Sequence, residues 1–163
     1  MSFGNTVKDG SGNAYWLLVD SGGRLIVSQG HTIDSIVSEV DGSDKTYTVP
    51  VGIELHIQSI YVTLVTSATV GDRQVELEIK DTEDNIIFKA LAGVVQAASL
   101  TRTYLFAPNV ADMAAFVDTT HISNLIPALQ LAAGYVVRVY DNNVVSAVSD
   151  DLTMVILCKS VDA

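Results

Sequence analysis

Charge is the first thing this chain is short of. Charged residues fill 17% of its 163 positions, against about a quarter in an ordinary soluble domain. Together with a hydrophobic share of 48%, that shortage excludes a disordered chain, a long coiled coil and a highly charged tail protein. Positive charge is scarcer still, with 9 Lys+Arg against 19 Asp+Glu and a formal net charge of -10. A protein held to DNA or RNA by phosphate neutralisation carries the opposite balance, so no nucleic-acid partner is expected. Cysteine is almost absent. The single Cys158 rules out an internal disulfide, and its alternation with Leu152, Met154 and Ile156 reads as a small buried hydrophobe. Long apolar runs are missing too. Val51–Thr66 comes nearest to a membrane span, but Glu54, His56 and Gln58 interrupt it at alternate positions, so no membrane partner is expected. The opening residues lack the apolar core of a signal peptide, which predicts synthesis in the cytoplasm.

What the chain does have is β-branched residues: 23 Val, 12 Ile and 13 Thr. Such a composition favours sheet. Seven of the 11 glycines fall in the first 45 residues, between short apolar runs at Tyr15–Val19, Arg24–Val27 and Ile33–Val40. So little apolar surface cannot close a core of its own. Residues 1–45 therefore read as an extended N-terminal arm with short strands or a hairpin, and 46–163 as one β-sandwich domain.

Within that domain Thr46–Val49 is a short strand ended by Pro50. Ile53–Thr66 starts with Ile53, Leu55 and Ile57 on its apolar face, then passes to Ile60, Val62 and Leu64. A change of phase near Ser59 inside one strand predicts a bulge, or a strand leaving one environment for another. Arg73–Lys80 turns Val75, Leu77 and Ile79 inward and Gln74, Glu76, Glu78 and Lys80 outward. Ile86–Ala90, Thr101–Phe106, Tyr135–Tyr140 and Asp151–Lys159 complete the regular set, and Pro108–Leu131 reads as a long connection with short extended pieces. Seven or eight strands joined by hairpins and a few longer crossings predict an all-β, antiparallel two-sheet β-sandwich.

Catalytic signatures are missing. His31, His56 and His121 form no metal-ligand spacing, and there is no nucleophile elbow, phosphate loop or dinucleotide fingerprint. No enzyme activity and no cofactor are expected. Asp141, Asp150 and Asp151 flank the last long loop beside Asn142 and Asn143, as Asp112 and Asp118 flank another. The first three are the candidate cation or ligand loop, because loop-tip carboxylates suit calcium, although their spacing matches no EF-hand and turn formation explains them as well. In the arm, Tyr15 and Trp16 are adjacent, so on a strand they face opposite sides and one can anchor in a partner's pocket; local packing and a sugar-stacking platform are the alternatives. With Leu17, Leu18 and Leu25 they form the candidate partner-binding set.

Several segments resemble a group of small virion structural proteins of tailed bacteriophages. They are Tyr47-Thr-Val-Pro-Val-Gly, the run from Ile57 to Leu77, Ala97-Ala-Ser-Leu-Thr-Arg-Thr-Tyr, Phe106-Ala-Pro, Leu131-Ala-Ala-Gly-Tyr-Val-Val-Arg-Val-Tyr-Asp and Asp150-Asp-Leu-Thr-Met-Val. The stretch from Tyr15 to Leu25 is similar to an extension often found at the front of phage particle proteins. The resemblance implies a jelly-roll-like sandwich on the outer surface of the phage head, decorating or cementing the capsid lattice. Its partner would be the major capsid protein, and the expected arrangement is a homotrimer whose arms reach neighbouring subunits. The alternatives are a tail or neck structural protein and a carbohydrate- or receptor-binding module.

Overall fold

Period-two alternation becomes twelve strands among the described residues. The structure is a computed structural model that describes residues 6–8, 14–16, 31–108, 110, 120–143, 145 and 149–162. The chain divides into two compact units, Met1–Gly30 and His31–Ala163. In the first, β1 (Thr6–Lys8) pairs antiparallel with β2 (Ala14–Trp16).

The second unit is two sheets sharing one core. Its strands are β3 (His31–Val37), β4 (Lys45–Thr48), β5 (Ile53–Val65), β6 (Val75–Lys80), β7 (Ile86–Leu91), β8 (Thr101–Ala107), β9 (His121–Leu125), β10 (Leu129–Leu131), β11 (Val136–Asp141) and β12 (Asp151–Asp162). One sheet has six strands in the order β3-β12-β5-β8-β9, with β10 alongside the first half of β5, and the other has four in the order β4-β11-β6-β7. The two-sheet, all-β expectation therefore holds. One pairing departs from it, since β9 runs parallel to β8 and all the others are antiparallel. Thirteen residues, 108–120, separate those two strands in the sequence, more than a hairpin loop holds, as a parallel pair requires.

The core lies where the inward rows of both sheets meet. Met154, Val62, Tyr104 and Ile122 form one row across four neighbouring strands, and all are buried. Val75, Leu77, Ile79, Val137 and Val139 close on them from the smaller sheet. Gln96 is fully buried without cost. It donates from Nε2 to the carbonyls of Leu64 and Leu100, each at 2.9 Å, and accepts from the Tyr104 hydroxyl at 2.9 Å.

The change of phase in β5 is a β-bulge. β12 keeps unbroken alternation, but its register against β5 shifts between Leu157 and Cys158, so that Ser59 faces Leu157 and Ile57 faces Cys158. Gln58 is the extra residue. Without it, either Leu55 and Ile57 or Ile60, Val62 and Leu64 would face solvent.

The boundary between arm and sandwich moves. Residues 31–37, expected in the arm, form β3 and pair residue by residue with β12 from Val37 opposite Val155 to His31 opposite Val161. Ile36 packs against the core. The division falls at Gly30/His31, not at 45/46.

Candidate interaction surface

The outer faces of the two sheets differ in chemistry. On the four-stranded sheet, Glu76 and Glu78 do point away from the core as their alternation predicts, yet each is only 2% exposed. Cross-strand neighbours bury them: Glu78 lies between Arg138 and Lys89, and Glu76 between Tyr140 and Leu91. Arg138 places Nη1 3.3 Å from Glu78, and the Tyr140 hydroxyl donates to the other Glu78 oxygen at 3.3 Å. Arg138 also donates to Asp44 at 2.6 and 3.1 Å and sits 4.2 Å from the centroid of the Tyr140 ring. Lys89 pairs with Glu76, and Lys80 lies 2.8 Å from Asp84. Asp84 beside Lys80 raises the lysine's pKa, and Asp44 does the same for Arg138. Burial, followed by the Glu78 charge, pushes the Tyr140 phenol up. Ion pairs cover the middle of this face, while Leu91 and Ile86 of the edge strand β7 are exposed beside them.

The six-stranded sheet presents the opposite. Register places Val37, Val155, Tyr61, Leu105 and Ser123 in one row across five strands, on the face away from the core. Thr153, Thr63, Thr103 and His121 form the next row, and Ser35, Leu157 and Ser59 the row on the other side. Val37 is 64% exposed, Tyr61 43% and Leu157 41%. Among the described residues charge returns at the margins, with the exposed Glu39 two positions past Val37 at the β3 edge. Asp151 closes one end, and beyond the bulge Lys159, His56 and Glu54 occupy the other, where His56 Nε2 lies 2.7 Å from Glu54. The bulge therefore also divides this outer face into a charged end and an uncharged end.

Of the expected cation-loop carboxylates, Asp150 is paired with the protein's own cation. Arg73, fully buried, donates from Nε to Asp150 Oδ2 at 2.8 Å and from Nη1 to the carbonyls of Thr69 at 2.7 Å and Gly71 at 2.6 Å. Asp150 Oδ1 accepts the Ser67 amide at 2.7 Å. Burial pushes the Asp150 carboxyl up, but the Arg73 and Ser67 hydrogen bonds outweigh it and hold its pKa below the ordinary value. A guanidinium thus occupies Asp150, one of the three candidate carboxylates. Asp141 is spent on the backbone, accepting the amides of Gln74 at 2.9 Å and Asn143 at 3.1 Å. Asp151 starts β12 with an exposed side chain. The three carboxylates are not brought together as ligands, and among the described residues no group of three His, Cys, Asp or Glu side chains could hold a metal. Asp112 and Asp118 lie outside the described residues.

Of the arm set, Tyr15 and Trp16 lie on β2, while Leu17, Leu18 and Leu25 fall outside the described residues. Cys158 is buried as expected, its thiol pushed up by burial, with Sγ 3.6 Å from the Asp34 carbonyl. Sequence reasoning missed the Arg73–Asp150 pair and the burial of Glu76 and Glu78. The second had a signal in the Arg138 and Lys89 of neighbouring strands, but only once register was known. Compared with family models, curated proteins and solved structures, the chain matches none.

Proposed function

We propose that this chain is a structural protein of a tailed-bacteriophage virion that binds the major capsid protein on the outside of the head and stabilises the lattice mechanically. The observation that carries the reading is the contrast between the outer faces. A chain with a net charge of -10 that keeps the central rows of one outer sheet face free of charge among the described residues offers protein a surface cheap to desolvate. The ion-paired face of the other sheet suits water.

Strand order supports the finer, jelly-roll part of the reading. With β9 and β10 set aside, β3 pairs with β12, β4 with β11, β5 with β8 and β6 with β7. First with last, second with next-to-last and so inward is the nested order of an eight-stranded jelly roll, an architecture common in viral capsid proteins. The phage assignment itself rests on the sequence resemblance. The residues ahead of the sandwich serve as an arm toward a neighbouring subunit, with Tyr15 and Trp16 as anchors, and each sandwich contact makes the arm contact effectively intramolecular. Copies act together as a homo-oligomer.

The test is loading onto particles that lack the protein. Tyr61→Glu places a charge at the centre of the uncharged face without touching the core, so the variant should fold normally and load poorly. Normal loading of folded Tyr61→Glu would reject the proposed surface. Counting copies in purified particles tests the location: hundreds fit the head, whereas a handful would move the protein to the tail or neck.

A further inference from the structure

Beyond the lattice contact, we infer that the open edge of β3 pairs with β3 of a second copy of this chain, joining two six-stranded sheets into one across a twofold axis. Among the described residues the sandwich has open sheet edges at β3, β4, β7, β9 and β10, and these are not equally guarded; β10 is only three residues long. β4 is four residues long and begins at Lys45, β7 carries Lys89 and a bulge opposite Lys80, and β9 has five residues. β3 is seven residues long, paired to β12 without a bulge, contains no Lys, Arg or Pro, and has Asp34 as its one carboxylate. Long, flat edges without those residues are the ones that accept another strand.

Backbone direction identifies the free groups. Ser38 donates its amide to the Met154 carbonyl at 2.9 Å, so the even-numbered residues of β3 turn toward β12. Ile33, Ser35 and Val37 therefore turn their amides to the open side. Asp34 selects the register. Centring the pair on Asp34 would set two carboxylates opposite each other, which is unfavourable. Centring it on Ser35 places Ile33 opposite Val37, Asp34 opposite Ile36 and His31 opposite Glu39. The Asp34 carboxylate now accepts the Ser35 amide at 2.8 Å, and pairing exchanges that bond for the partner's Ser35 carbonyl.

A second copy is favoured as occupant by what the pairing does to the uncharged face. Five strands at ~4.8 Å spacing and four residues at ~3.4 Å rise span roughly 300 Å² in projection, below the ~800 Å² per partner of a standard interface. A twofold perpendicular to the sheet keeps both uncharged faces on one side and continuous, doubling that area. Such a contact is self-complementary, as a closed twofold dimer requires. It favours a dimer over the trimer that the resemblance implies.

The experiment uses the full-length chain in solution, without particles, so its outcome is independent of the lattice reading. Sedimentation should give a dimer. Oxidised Ser35→Cys should cross-link two copies, because residue 35 faces itself across the axis and Cys158 is buried. Asp34→Cys, whose two copies lie beyond ~7 Å in this register, should not cross-link. Ser35→Pro removes the outward-facing amide and its bond to the Asp34 carboxylate but no bond to β12, so it should fold and sediment as a monomer. A wild-type monomer, a trimer, or a dimer that survives Ser35→Pro would overturn the inference.

Discussion

Arg73 and Asp150, 77 positions apart in the chain, meet with Nε 2.8 Å from Oδ2, and their side chains are 0% and 6% exposed. This pair ties the segment ahead of β6 to the segment ahead of β12. Removing one partner leaves a buried charge without its counter-ion, which costs about 3–5 kcal/mol. Arg73→Met should lower the unfolding free energy by that order in urea titrations. Arg73→Met with Asp150→Leu should recover much of the loss, since both charges then disappear together. A double variant no more stable than the single would show that the carbonyl contacts of Arg73, not the ion pair, hold these segments.

Calcium should leave the melting temperature of the protein unchanged, because the guanidinium already satisfies the oxygens around Asp150. A calcium-dependent rise in thermal melts, removed by chelation, would contradict this assignment.

Acid should destabilise the fold through the same carboxylate. The Asp150 pKa is lower in the folded chain than the ordinary 3.8. Its contribution is therefore fully present above the unfolded value and is lost as pH falls through the folded one. Stability measured against pH should show no Asp150 contribution to slope around neutrality and a fall beginning near pH ~4. Asp150→Asn should flatten that fall.

Glycine has different reasons at two turns. Gly52 has φ +80 with open space where a Cβ would stand, whereas Gly134 has φ +84 and its Cβ would lie 2.8 Å from Thr82 Cγ2. Gly52→Ala should cost only the left-handed backbone penalty, about 1–2 kcal/mol. Gly134→Ala should cost more, and Thr82→Ser in the same chain should return the excess. Equal losses at the two sites in chemical denaturation would refute the steric part.

Much of the sandwich was legible because its strands obey a local rule. β5, β6, β8, β11 and β12 alternate cleanly, and even the bulge announced itself, since Gln58 and Ser59 are consecutive residues on neither apolar row. β3 was not legible as part of the sheet. Its apolar residues fall on both faces, with Ile36 inward and Ile33 and Val37 outward, so alternation cancels. The β9 and β10 strands hid for another reason, because Pro127 separates two pieces too short to show a period. For the candidate surface, sequence supplied the outward residues of each strand singly. Its uncharged row exists only when β3, β12, β5, β8 and β9 are laid side by side, and no local pattern encodes that register.

The pairing of β3 with β12 has a mechanical consequence. His31 and Val161 are opposite one another at one end of this ladder. Tension applied between those two residues would open the ladder like a zipper, one hydrogen bond at a time and at low force. Tension applied between residues 37 and 161, at opposite ends of the two strands, would load every bond of the same ladder together and meet far greater resistance. The strength of this protein under load is thus a property of where it is gripped, and pulling from those two pairs of points should give two distinct rupture forces from one fold.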